Sequence, residues 1–184
     1  MGTGDLPKLM TAEEFMEADL GEGCFELVLG EPVRVQPTMP LRGLICANVA
    51  FSLDGYGRSS GRGYVLMRVA IVTDRDPDTV RGPDLSFYSE ERWPRSQVGE
   101  TLPPIPPDLV VEVGTPGRRV ELIRKLVDYL RCGISLIWYL NTEHRFVAVF
   151  RPDDGPPLVF QEGDRIECLP ELPGFSCPVS DFLP

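Results

Sequence analysis

The sequence predicts an α/β fold, a mixed β-sheet with helices packed on its faces. Three observations predict it. Segments of helical spacing and β-branched runs follow one another in the order helix, hairpin, helix, strands, helix, strands. Leu109-Val-Val-Glu-Val113 is apolar almost throughout, as a central strand buried on both faces must be. A length of 184 residues, with 42% hydrophobic and 25% charged, suits one globular domain with a real core and is too short for two. That domain is expected to span residues 1–184, with 1–10 as a loose N-terminal segment.

Thr11-Ala-Glu-Glu14 reads as a capping box, in which Thr11 accepts from the Glu14 N–H and Glu14 reaches back, starting a helix to about Ala18. Phe25–Leu29 and Pro32–Gln36 flank Leu29-Gly30-Glu31 as a β-hairpin. Leu44, Ile45, Val49 and Leu53 give residues 41–53 a helical pattern, which the Gly/Ser-rich stretch 55–63 should end. Within that stretch, Gly55-Tyr-Gly57 with Gly61 follows a helix and not a strand, so it reads as a turn and not a dinucleotide loop. Tyr64–Val72 is one β-branched run, and Leu85–Tyr88 is a short strand behind the turn-rich Asp74–Asp78. A Pro-rich loop over 101–107 leads into the Leu109 strand. Val120–Arg131 is helical, with Ile123, Leu126, Val127 and Leu130 as its core stripe and Gly133 as its stop. Ile134–Leu140 and Phe146–Phe150 pair across Asn141–His144, and short strands at 158–161 and 165–168 finish the sheet.

Several chemistries are excluded or disfavoured. No apolar run approaches the roughly 18–20 residues that cross a bilayer, and the N-terminus matches neither a secretory signal nor a myristoylation pattern. The expected location is the cytoplasm, with no membrane partner. Cys24, Cys46, Cys132, Cys168 and Cys177 are scattered and odd in number, which points to buried free thiols and not to a disulfide framework or zinc knuckle. His144 is the only histidine and falls in a predicted hairpin turn, so a Ser-His-Asp or Cys-His triad is disfavoured. A net charge of −10 weighs against coating nucleic acid nonspecifically but allows a local basic groove. Lys8 and Lys125 are the only lysines.

Glu112 is what composition does not explain. A carboxylate inside a central apolar strand is costly unless it is paired or bound to a metal. Alternation puts Asp108, Val110 and Glu112 on one face. Glu112 is then either solvated by a loop, ion-paired with Arg118 or Arg119, or part of a site. Gly82-Pro83-Asp84 places a second acid at a strand start, behind a proline that keeps the chain extended. Two carboxylates meeting at strand ends suit a bridging divalent cation such as Mg²⁺. Pro-Asp alone is a weak signal, because it recurs at Pro77-Asp78, Pro107-Asp108 and Pro152-Asp153.

Five segments then occur in a telling order: Phe25-Glu26-Leu27-Val28 with Gly30-Glu31, Pro83-Asp84-Leu85-Ser86-Phe87, Pro107-Asp108 through Glu112-Val113, Glu121-Leu122 with Lys125 and Tyr129, and Ile137-Trp138-Tyr139-Leu140. In this order they resemble the Uma-two family of restriction endonucleases, a branch of the PD-(D/E)XK nuclease superfamily. The similarity runs from about Thr11 to Pro184. The resemblance implies a restriction-endonuclease-like core that hydrolyses DNA phosphodiesters. Asp84 and Glu112 would hold Mg²⁺ or Mn²⁺, and Lys125, on the helix after the strand, would replace the motif lysine, whose own position is Gly114. Glu26 matches an acidic position of the family and either completes the site or faces solvent from its hairpin. Lys125 could equally be a surface lysine paired with Glu121. Arg42 stands where many relatives have a histidine, and Ile134-Ser-Leu-Ile137 departs from the family's more polar strand, with Asn141 where an Asp is common. The alternative is a catalytically inactive binding or regulatory module on the same fold. Nucleases of this fold often work as homodimers. Of Arg81, Arg118, Arg119, Arg124 and Lys125, at least three are expected around the cleft, to admit DNA to an acidic protein.

Overall fold

The computed structural model describes residues 9–114, 119–153 and 155–184. Helix α1 (Ala12–Glu17) carries the expected capping box from Thr11 and Glu14. Strands β1 (Cys24–Val28) and β2 (Glu31–Val35) form the hairpin, with Leu29 and Gly30 at positive φ in its two-residue turn. Met10 donates its N–H to the Gly30 carbonyl, so residue 10 is tied to the hairpin. The rest of the expected loose segment, residues 1–8, lies outside the described residues.

Helix α2 spans Pro40–Ser60, longer than the sequence pattern suggests. Gly55 and Gly57 do not end it. Gly57 is where the helix touches β3 (Gly63–Met67): a side chain there would collide with the Gly63 carbonyl and the Phe87 ring. The stop is Gly61, at φ 66° in the left-handed region.

The Tyr64–Val72 run is two strands and not one. Arg68 at φ 52° breaks it, so β3 and β4 (Ile71–Asp74) enter different sheets. β5 (Thr79–Arg81), hidden in a polar stretch, joins β4 and β1 in a four-stranded sheet of order β2-β1-β5-β4. The larger sheet adds β6 (Leu85–Ser89), β7 (Leu109–Gly114), β8 (Leu136–Asn141), β9 (Phe146–Phe150) and β10 (Leu158–Gln161) in the order β10-β9-β8-β7-β6-β3. β7 and β8 are parallel, joined through α3 (Arg119–Arg131), and the other pairs are antiparallel. β11 (Arg165–Glu167) does not extend that sheet. It pairs with β12 (Ser176–Pro178), drawn from the Pro-rich tail. The mixed α/β architecture expected from the sequence is what is found.

β7 sorts the core by alternation. Leu109, Val111 and Val113 pack with Ile45, Cys46, Val49 and Leu53 of α2, whereas Val110 packs with Leu126 and Tyr129 of α3. The two helices therefore cover opposite faces of the large sheet. On α3 the expected stripe is rotated: Ile123 is 59% and Val127 38% exposed, while Lys125, Leu126 and Tyr129 are buried. The strand's own acid explains this, because turning Lys125 and Tyr129 inward gives Glu112 its partners.

Candidate active site

The chain crosses from the small sheet to the large one at Gly82-Pro83-Asp84, between β5 and β6, and the site forms at this crossing. Paired register between β6 and β7 runs to Leu85 opposite Val111. Just beyond it, the Asp84 carboxylate takes the place of a strand carbonyl: its Oδ2 accepts the Val113 N–H at 2.8 Å. The bond pins the start of β6 to the end of β7 and leaves Asp84 3% exposed.

Glu112 points to the α3 side. Its Oε1 accepts from the Lys125 ammonium at 2.9 Å and from the Tyr129 hydroxyl at 2.7 Å. Lys125 and Tyr129 are four apart on α3, so one helix face delivers both donors. Glu26, in the middle of β1, is buried as well. Its Oε1 lies 2.8 Å from Lys125 Nζ and accepts the Gly82 N–H at 3.1 Å, and its Oε2 accepts from Arg81 at 3.0 Å. Arg81 in turn pairs with Asp128 at 2.7 Å. From the opposite helix, Arg42 in the first turn of α2 donates through Nε to Asp84 Oδ1 and Oδ2 (3.1 and 3.0 Å). Its Nη2 reaches Asp84 Oδ2 at 2.8 Å and Glu112 Oε2 at 3.3 Å.

The electrostatics follow from burial opposed by these partners. Burial pulls the Lys125 ammonium down, but Glu112 and Glu26 outweigh it and hold Lys125 above its ordinary value. Burial pushes the Glu26 carboxyl up, and Lys125, Gly82 and Arg81 override it and hold Glu26 low. Glu112 goes the other way: complete burial and the neighbouring Asp84 raise it, despite Lys125 and Tyr129. Burial and then Asp84 push the nearby Cys46 thiol up to about 12, so it stays protonated at neutral pH.

Asp84, Glu112, Lys125 and Glu26, all singled out from the sequence, thus converge on one cluster. Glu26 does not face solvent, and Lys125 is not on a surface. Glu26 faces Lys125 and not the Arg42 fork between Asp84 and Glu112. Of the five cations expected nearby, Arg81 and Lys125 reach the cluster and Arg124 is exposed on α3. Arg118 and the Arg119 side chain lie outside the described residues. Arg42 is the cation that sequence reasoning missed. Its signal was available, since residue 42 opens a helix whose apolar positions 45, 49 and 53 bury one face, and 42 falls on that face. Glu31 is exposed in β2, and His144 is exposed at the β8–β9 turn. All five cysteines are free, but only Cys46 and Cys177 are buried, which corrects the expectation of buried thiols throughout.

Among the described residues no group of three or more His, Cys, Asp or Glu side chains is arranged to hold a metal. Two carboxylates are arranged around one cation, because Arg42 Nη2 bonds Asp84 and Glu112 at once. Their hard oxygens suit Mg²⁺ or Mn²⁺, which take one or two protein carboxylates and fill the remaining positions with water. The donor set therefore fits such an ion in the place where Arg42 now donates. Among the described residues no helix is long and apolar enough to cross a membrane.

The chain is similar to a known family and to solved structures. A family model described as "Uma2: Putative restriction endonuclease" matches residues 12–180. A crystal structure of a "putative nuclease belonging to DUF820" from Anabaena variabilis superposes with a TM-score of 0.79 at 18% identity, covering 94% of this chain and 97% of that one. At that identity the likeness shows a shared fold. No protein of curated function matches the chain.

Proposed function

This chain belongs to the Uma2 family, and on that premise we propose that it is a metal-dependent endonuclease hydrolysing DNA phosphodiester bonds at Asp84, Glu112 and Lys125. The observation that carries the reading is a buried lysine 2.9 Å from Glu112 and 2.8 Å from Glu26, beside a carboxylate pair gathered on one cation. Burying that many charges costs stability even when they are paired, and such clusters concentrate at functional sites.

In this reading Asp84 and Glu112 would hold one Mg²⁺ or Mn²⁺, which would supply Lewis-acid polarisation of a phosphoryl oxygen and a more nucleophilic water. Asp84 is held in place by the Val113 N–H. Tyr129 and Lys125 occupy Glu112 Oε1 and so leave Oε2 toward Asp84. Lys125, kept protonated by its two carboxylates, steadies the attacking water or the charge that grows on the phosphate. Glu26 acts through Lys125 and is a positioning residue. We place the activity in the cytoplasm, and a homodimer would present two such sites to the two strands of a duplex.

The test is nicking of supercoiled plasmid at low salt with Mg²⁺ or Mn²⁺. Asp84→Asn should reduce the rate at least about 100-fold while the variant keeps its folded circular dichroism spectrum. Protein that binds no DNA at low salt with metal present would overturn the autonomous nuclease. The second reading, an inactive binding module, is favoured by the way Arg42 covers both carboxylates. It predicts DNA binding without nicking.

A further inference from the structure

We infer that Arg42 is the resident counter-cation of the Asp84–Glu112 pair, and that a divalent metal must displace its guanidinium to bind there. The inference rests on the metal-site reading above and adds what sets the affinity of that site. Each oxygen a metal would use already accepts a hydrogen bond. Asp84 Oδ1 and Oδ2 accept from Arg42 Nε, Oδ2 accepts also from Nη2, and Glu112 Oε2 accepts from Nη2. The fourth oxygen, Glu112 Oε1, is held by Lys125 and Tyr129. Mg²⁺ binds oxygen at roughly 2.0–2.1 Å, so it needs the same lone pairs and would set two positive charges against a third at close range.

Charge balance also favours exchange over coexistence. Glu26, Asp84, Glu112 and Asp128 face Arg42, Arg81 and Lys125, which leaves the cluster one negative charge. A divalent ion added with Arg42 in place makes it one positive, and the same ion with Arg42 turned out makes it neutral. The three cations are not equally free to leave. The Lys125 side chain is 9% exposed and shared by two carboxylates, and that of Arg81 is 6% exposed and likewise shared. Arg42 is 20% exposed at the side chain and sits in the first turn of α2, and its hydrogen-bonding side-chain partners among the described residues are the two carboxylates alone. Among the described residues, only those two carboxylates hold its side chain, and releasing them frees it to swing out.

The experiment is Mn²⁺ binding by calorimetry, without DNA, to the wild-type chain and to Arg42→Gln and Arg42→Lys. Losing charge-assisted bonds to the competing guanidinium should tighten Mn²⁺ binding in Arg42→Gln roughly 10- to 100-fold. Arg42→Lys, which keeps a point charge without the fork, should fall between. In the wild type, the Arg42 Nε–H NMR resonance should move as Mg²⁺ is titrated, with the same midpoint as metal binding. That measurement decides the matter if Arg42→Gln does not fold. Mn²⁺ binding that is equal or weaker in Arg42→Gln, or a stationary Nε–H resonance while metal binds, would overturn the inference and leave the metal site standing. No Mn²⁺ binding to any of the three proteins would overturn the metal site as well.

Discussion

Replacing Lys125 by Met tests whether the cluster is built around a buried ammonium. The thioether follows the lysine stem closely, so packing against α3 is largely kept and the charge is what is lost. Glu26 Oε1 and Glu112 Oε1, each within 2.9 Å of Nζ, would then face one another with no cation between them. Removing one partner of a buried pair costs about 3–5 kcal/mol, and the lower part of that range applies because Arg81, Gly82 and Tyr129 still donate to the two acids. The cost should depend on pH in a definite direction. In the wild type the Lys125 contribution is complete below the lysine's unfolded value and is lost only as pH rises through its raised folded value. In the variant the two facing acids are raised, so their penalty appears as pH rises and fades as they protonate. Urea unfolding should therefore show a deficit of about 3 kcal/mol at pH 8 that shrinks toward pH 5, with the slope m unchanged. A deficit below about 1 kcal/mol at pH 8 would mean that Lys125 is a solvated lysine, and the reasoning fails.

Two further measurements probe the same architecture. Glu26→Gln should lower stability by about 2–3 kcal/mol at pH 7. Because Glu26 is held low in the folded protein, that difference should be complete above the unfolded carboxylate value and vanish as pH falls through the depressed one; a difference that persists at pH 2 would assign it to packing instead. On α3, Ile123→Lys should change stability by no more than about 0.5 kcal/mol, whereas Leu126→Ala should cost about 2–4 kcal/mol, and thermal unfolding of the two variants that reversed this order would restore the stripe read from the sequence.

Much of the fold could be read from local chemistry. The capping box at Thr11, the Leu29-Gly30 turn, the buried β7 and the β8–β9 pair are each specified by residues close in sequence, and each is where the pattern puts it. The misreadings came where tertiary contact overrode a local rule. Gly57 looked like a breaker because glycine weakens helices, yet here it lets α2 approach β3. The Tyr64–Val72 run carried no visible break, since Arg68 is an ordinary residue held at positive φ. The α3 stripe was misjudged because apolar residues were assumed to face inward, whereas the sheet beneath presents an acid. The same acid was the most informative residue for the site: Glu112 in an apolar strand required partners. Sequence could not name all of them, because Arg42 lies 70 residues away on the opposite helix.

The position of the lysine follows from the packing of β7 itself. The motif spacing would put a lysine at residue 114, on the strand that carries Glu112. A side chain at Gly114 would collide with the ring of Tyr139, which β8 presents opposite Glu112 in the parallel register. Strand alternation adds no second obstacle, since 112 and 114 share a face, so the bar at 114 is steric and not directional. The ammonium beside Glu112 comes from the helix that covers that face, α3. A helix can supply what the strand would have supplied only if its inward stripe includes the cation, which is why Ile123 and Val127 are turned toward solvent. The exposed apolar residues on α3 and the buried lysine thus both follow from the acid that β7 presents to the helix.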